Sequence, residues 1–416
     1  MTARDNLLRV DDDRLWNTIE RSGEIGPGRA QGLHRLALDD ADRQMRDLFI
    51  SWCKKAGLAV SIDAMGNIFA RREGSESGLA PVLIGSHLDT QVTGGRYDGI
   101  LGVLAGLEVL RTLNDKGLET RRPIEVVNWS NEEGARFNPP MLASSVFAGL
   151  KTLDWAYGRK DNDGVTYGEA LQEIGYVGET PMGGRDIDAY FELHIEQGPV
   201  LEAENLKIGV VTGGYATRGM RVEIRGETAH SGPTPMDKRR NALVGAAYLI
   251  AAANDIGWEY HEERGKTTAT QIDIWPNNTG ILPELAHTSL DLRHPTVEGA
   301  EAMLAKLEAA IEEIRIKANV EIEIIDRWRF GEETFDPDCV ALLRQASDSL
   351  GHGYIDMQSQ AGHDAYNMTH VCPTALLFCP CEGGITHNEA EHVAKEDAVP
   401  SVNVLLHAVL ERANRA

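Results

Sequence analysis

Cysteine is scarce. There are five in 416 residues (Cys53, Cys339, Cys372, Cys379 and Cys381), an odd number with no CxxC spacing. That excludes a disulfide framework and a zinc-ribbon pattern, and it reads as reduced thiols in a cytoplasmic protein. Positive charge is also short. Lys plus Arg number 41 against 64 Asp plus Glu, a formal net charge of −23, and such a surface repels a phosphate backbone, so no nucleic-acid partner is expected. No apolar run approaches the roughly 20 residues of a membrane span, so no membrane partner is expected either. The opening MTARDNLLRVDDD is too polar for a secretory signal. Repeats and low-complexity stretches are absent, the 42 glycines being spread along the chain. What remains is an ordinary globular composition, 42% hydrophobic and 25% charged, in a chain of 416 residues, long enough for two or three domains at about 150 residues each.

Periodicity gives the architecture. Met45, Leu48, Phe49, Trp52 and Ala56 recur at helical spacing, predicting a helix over Asp39–Ala56 closed by Gly57. Strands are predicted at Leu58–Ile62, Asn67–Ala70, Val82–Ile84 and Ile124–Trp129, with a helix over Gly99–Leu110. Continuous apolar strands alternating with helices predict an α/β core, a sheet covered on both faces. From Met220 the order becomes strand Met220–Ile224, helix Asn241–Ala253, strands Thr268–Ile274 and Thr288–Arg293, helix Glu298–Ile316 and a strand over 320–324. That βαββαβ order predicts an inserted ferredoxin-like domain at 214–327, between the two parts of a discontinuous domain, 1–213 and 328–416. A helix over 338–350, a strand Ala375–Phe378 and a helix Pro400–Arg412 complete it, with Pro400 in that helix's first turn.

Chemistry-bearing residues gather near predicted strand ends, where open α/β sheets bind ligands. In GSHLDTQVTGGRYDGILG, His87 and Asp89 follow the strand 82–84. If the backbone stays extended, Asp89 can accept a hydrogen bond from the second ring nitrogen of His87 and orient it. The glycines around Asp98 would let a turn bring its carboxylate towards His87. Glu132 and Glu133 follow the strand 124–129; burying both is costly unless a cation or a shared proton compensates. One can hold a metal while the other takes a proton from water. Glu192, His194 and Glu196 alternate on one side of a strand in YFELHIEQGPVLE, and His387 follows the strand 375–378 after a glycine-rich turn. Each signal alone has a bland reading: a capping Asp, a solvated acidic turn, a structural histidine. Together they place carboxylates and three histidines at the ends of strands of one sheet, which matches two metal ions sharing a bridging carboxylate.

These segments, in this order, resemble the dinuclear-metal amidohydrolases of the M20 peptidase superfamily. The likeness runs from about residue 10 to 412 and is nearest the branch of N-carbamoyl-L-amino acid hydrolases, β-ureidopropionases and allantoate amidohydrolases. GSHLDT, GGRYDG, NEEGARF, ELHIEQGPVLE, AHSGPTPM, DLRHP, AGHDA and GGITHNE carry it. The resemblance implies a zinc-peptidase-like mixed sheet with an inserted lid and dimerisation domain, hence a homodimer. It implies two divalent ions per subunit (Zn, or Mn, Co or Ni): His87 and His194 on one, Glu133 and His387 on the other, and Asp98 bridging. Glu132 would be the general base and Asp89 would orient His87. His230 would reach the partner's active site to stabilise the oxyanion, and Gln197 and Arg293 would bind substrate. The activity implied is hydrolysis of N-carbamoyl-L-amino acids or N-carbamoyl-β-amino acids to the free amino acid, CO2 and ammonia by a metal-bridging hydroxide.

Two stretches depart from the family pattern. Gly280 stands where an Asn that helps bind the substrate carboxylate is usual, thirteen residues before Arg293, and Gln360 replaces the first glycine of a Gly-Ala-Gly-His-Asp-Ala run. Both are expected at the far end of the substrate. They bring in a second reading, a hydrolase of allantoate, a related ureide or another N-acyl amide on the same metals. A third reading, a metal-stabilised binding protein without turnover, requires the loss of the base or of a ligand, and every expected position is filled.

Overall fold

A computed structural model of the chain describes residues 7–415. It forms two compact units, the first comprising the chain up to Thr212, Thr334–Met357 and the chain from Gly362, the second Gly213–Glu333 with Gln358–Ala361. The strands are β1 (Ala59–Ile62), β2 (Ile68–Arg72), β3 (Val82–His87), β4 (Ile124–Trp129), β5 (Ala189–Ile195), β6 (Ile208–Gly214), β7 (Ala216–Arg225), β8 (Lys266–Trp275), β9 (Leu285–His294), β10 (Glu321–Phe330), β11 (Tyr354–Ser359) and β12 (Thr374–Cys379). An eight-stranded mixed sheet has the order β1-β2-β4-β3-β5-β12-β6-β11.

The centre of that sheet sets up the site. β4, β3, β5 and β12 are neighbours and run parallel, and every residue of all four is buried. Because side chains alternate between faces, this burial means that both faces are covered. The crossover helix Ile100–Asp115 is buried nearly all round, as a helix with no polar stripe must be. Its one internal carboxylate, Glu108, accepts from Arg14 Nη2 at 2.6 Å. Parallel alignment puts the carboxyl ends of β3, β4, β5 and β12 on one rim, with His87 beside Trp129 in register and His194 beside Phe378.

Three sequence expectations change. β3 extends to His87 and stops there, so the alternation invoked for Asp89 does not reach it. The last helix is Lys395–Asn414, with Pro400 inside rather than in the first turn. The acidic first turn at Glu396 and Asp397 starts the helix earlier, where carboxylates favour the N-terminal dipole. The helix Asp12–Ser22, which has no counterpart in the sequence reading, is capped by Asp11 accepting from the Arg14 N–H.

In the second unit, four antiparallel strands have the order β10-β7-β9-β8, connected in the order βαββαβ. Residues of β9 alternate strictly between buried and half-buried. Ala286, Leu290 and Leu292 among the buried ones, with Met220, Val222 and Ile224 of β7, pack on Leu249 and Ala253 of the helix Ala242–Glu259 and on Met303, Leu307 and Ile311 of the helix Val297–Ala318. β8 is an edge strand and is exposed along most of its length. All five cysteines are free and buried, and burial pushes the thiols of Cys53, Cys339, Cys372 and Cys381 up to about 12. No helix of the described residues is long and apolar enough to cross a membrane.

Candidate metal centre

Three donor trios form among the described residues: His87, Asp98 and His194 in one, Asp98, Glu133 and His387 in another, and Glu192, His194 and His363 in a third, so that Asp98 belongs to the first two and His194 to the first and third. Its Oδ1 lies 3.8 Å from His87 Nε2 and 3.1 Å from His194 Nε2. Its Oδ2 lies 3.4 Å from His387 Nε2, which is 3.3 Å from Glu133 Oε2. The donor atoms of each trio lie within 4.8 Å of one another. Imidazole nitrogens and carboxylate oxygens converging in this way suit a zinc- or manganese-type divalent ion in each of the first two trios, with one carboxylate common to both. The donor set therefore fits the implied pair of metals.

The backbone explains the convergence. Gly99 has φ +68°, and a Cβ there would meet the His87 imidazole at 2.2 Å. Only glycine lets Asp98 turn back so closely over His87. Asp98 is then held by neighbours. Gln197 Nε2 and Thr386 Oγ1 donate to its Oδ2 at 2.8 and 2.7 Å. Glu391 accepts from the backbone N–H groups of Tyr97 and Asp98 at 2.9 and 3.1 Å. Gln197 and His387 both have positive φ, 58° and 52°, a strained conformation that tends to cluster at functional sites.

Asp89 behaves differently from the sequence expectation. Its carboxylate oxygen is 4.0 Å from His87 Nδ1, too far for a hydrogen bond, and its backbone carbonyl faces that nitrogen at 2.9 Å. The carboxylate instead accepts from the Glu132 and Glu133 N–H groups, both at 3.3 Å. It therefore positions the Glu-Glu turn. Glu132 Oε2 lies 3.5 Å from His87 Nε2. Glu196 points away from the centre and caps a short helix, accepting from Val200 and Leu201 N–H groups. Glu192 lies beneath His194, accepting from Ser86 Oγ, Tyr190 OH and the Ala365 N–H.

Electrostatics follow from burial and crowding. Burial lowers the pKa of His194, but the hydrogen bond and charge of Asp98 outweigh it and lift the value to about 9. Burial also lowers His387, and Glu133 and Asp98 more than reverse it, to about 11. Burial would raise Asp98, yet these two imidazoles hold it well below the usual range. Burial and the charges of Asp364, Glu133 and Asp89 raise Glu132 well above its ordinary value. In the metal-free chain, protons therefore sit where cations would.

His230, Arg293 and both departures from the family pattern belong to the second unit. His230 is exposed, bridges to Ile281 next to Gly280, and accepts from the Gly232 N–H at 3.1 Å. Arg293 donates from Nε to Asp291 at 2.7 Å and from Nη1 to the Gln360 carbonyl. Within one chain Gly280 and Gln360 do not lie at the same end of the second unit's sheet. Lys266 pairs with Arg293 at one end of the β8–β9 ladder and Trp275 with Leu285 at the other, so about 26 Å of strand separates them at ~3.3 Å per residue.

The sequence reading missed Glu391, Thr386 and Asp364. Glu391 follows His387 at no ligand spacing, and only the fold shows that it holds the Asp98 turn.

Fold and site together define a mixed α/β protein with a centre whose residues could hold metal ions. Residues 83–411 match the model of peptidase family M20/M25/M40. The chain is 45% identical to an N-carbamoyl-L-amino-acid amidohydrolase of Rhizobium meliloti, over 99% of both chains. It is 31% identical to an allantoate deiminase of Arabidopsis thaliana, over 95% of this chain and 81% of that one. The structure matches that of a hydantoinase/carbamoylase-family amidase from Burkholderia vietnamiensis with TM-score 0.94 and 45% identity, covering 98% of each chain. The chain belongs to peptidase family M20/M25/M40 and is a hydrolase of C–N amide bonds.

Proposed function

We propose that the chain hydrolyses N-carbamoyl-L-amino acids to the free amino acid, CO2 and ammonia. The observation that carries this is the pair of donor trios sharing Asp98, with Glu132 beside them, in a chain so similar to a carbamoyl-amino-acid amidohydrolase. His87 and His194 would hold one divalent ion (Zn, or Mn, Co or Ni), Glu133 and His387 the other, with Asp98 between. Bound there, the ions supply Lewis acidity to the carbamoyl carbonyl and acidity to a water. Glu132 takes the proton of the attacking water and returns it to the amino acid's nitrogen as the C–N bond breaks; the carbamic acid released falls apart to CO2 and ammonia. Burial and neighbouring carboxylates raise the proton affinity of Glu132 well above that of an ordinary glutamate, the direction a general base needs. Asp89 fixes the turn that carries it. Gln197 keeps a buried Oε1 without a partner, free to accept from the substrate's N–H, and Arg293 binds the carboxylate.

His230 acts on the partner's substrate as an oxyanion donor. Arg293 and His230 are at opposite ends of β9, so one chain cannot apply both to one small molecule, and two copies can. The exposed edge β8, with Ile272 and Trp275, and the exposed Leu243, Val244 and Tyr248 of the neighbouring helix offer the surface for a second copy. Buried free thiols suit a reducing, cytoplasmic setting.

A second reading, a ureide such as allantoate, is favoured by Gly280, where an added Cβ would meet only Asn278 Oδ1 at 3.8 Å. kcat/KM from ammonia release over N-carbamoyl-α-amino acids, N-carbamoyl-β-amino acids and allantoate tests both readings. The first expects N-carbamoyl-L-amino acids to lead and chelation to abolish turnover. Allantoate as the best substrate, or chelation without effect, would overturn it.

A further inference from the structure

We propose that Lys266 is a second cation in the seat for the substrate's carboxylate, paired with Arg293 and held by Gln360. This rests on the carbamoyl-acid reading and adds to it a residue that decides affinity.

The two cations face each other directly across the β8–β9 ladder. Like charges so placed have Cβ atoms about 5 Å apart and destabilise a sheet, so the pair runs against the local fold and calls for a reason. Its surroundings are built. Asp291 accepts from Arg293 Nε at 2.7 Å and, on its other oxygen, from Trp328 Nε1 at 3.4 Å. The Phe330 ring lies 5.7 Å from the guanidinium carbon. Gln360 ties both cations, its side-chain Oε1 accepting from Lys266 Nζ and its backbone carbonyl from Arg293 Nη1.

The charges do not balance. Asp291 offsets one positive charge, and Lys266 has no carboxylate at ion-pair distance among the described residues; its acceptor is a neutral amide. One unit of positive charge is left, matching a monoanion, and the two oxygens of a carboxylate can accept from two such donors. Partial desolvation and the Arg293 charge also lower the Lys266 pKa, a strain that a bound anion relieves. A glycine at 360 would leave the ammonium without its acceptor. A lysine on an edge strand has a plainer role, blocking edge-to-edge pairing, and that role makes no demand on substrate affinity.

The test uses the metal-loaded enzyme, Lys266→Met, Lys266→Arg and Gln360→Gly, with an N-carbamoyl-L-amino acid and its neutral carboxamide. The expected result is a KM for the acid raised about tenfold or more in Lys266→Met, with kcat nearly unchanged. Lys266→Arg should recover most of the loss, Gln360→Gly should show a smaller rise, and the carboxamide should not respond. An unchanged KM for the acid, or equal changes for acid and carboxamide, overturns the proposal. If the wild type hydrolyses no carbamoyl acid, the functional reading fails, and calorimetric binding of the same acid then decides the seat. Weaker binding to Lys266→Met supports it; equal binding, or none to the wild type, overturns it.

Discussion

Asp98 is buried, with one oxygen facing His87 and His194 and the other facing His387, Gln197 and Thr386. Burial alone would neutralise such a carboxyl, and two cationic imidazoles keep it charged. Glu132 lies nearby under the opposite influence. Burial raises its proton affinity, and the carboxylates around it, in place of cations, add to the rise. Two acids in one site are thus pushed apart, one towards metal binding and one towards proton transfer. Replacing Glu132 with Gln keeps the shape and removes the base. Turnover should fall by about 10²–10⁴-fold or more while the metal content stays at the wild-type level. Ammonia-release kinetics beside emission spectroscopy check this, and near-wild-type turnover would remove Glu132 from the mechanism.

At the scale of elements, the continuous apolar runs at 82–84 and 124–129 already imply strands covered on both faces, and such strands end at a ligand-binding rim. His87 and Glu133 were legible for that reason. Asp89 was legible as a member of the site but not in its contacts, because no sequence signal shows that β3 ends at His87. Glu391 and Thr386 were not legible, since they meet Asp98 only through the loop after β12. The separation of Gly280 from Gln360 was hidden too, since it depends on the register of β8 with β9. The alternation of β9 and the stripe on the helix Val297–Ala318 show which side chains carry the second unit. Leu307 is fully buried between them. Leu307→Ala should cost about 2–5 kcal/mol, read as a lower denaturant midpoint for the second unit, and an unchanged midpoint would contradict that packing.

The whole molecule carries a net charge of −23, and such a field concentrates divalent cations near its clefts. Binding must still displace protons. The metal-free pKa values of His194 and His387, about 9 and about 11, lie above neutrality, so both rings are protonated between pH 6 and 8. Apparent metal affinity should therefore rise with pH across that window, by about tenfold per unit for each proton displaced. Chelator competition at pH 6, 7 and 8 measures it, and a pH-independent affinity would contradict the assigned ligands. The claim beneath all of this is that Asp98 serves two ions at once. Metal stoichiometry of the wild type and of Asp98→Ala, taken with ammonia release on the same samples, tests it most directly. The account predicts two divalent ions per chain in the wild type, with both sites weakened and turnover lost in Asp98→Ala; a variant that keeps both ions, or loses one and keeps its activity, would contradict it.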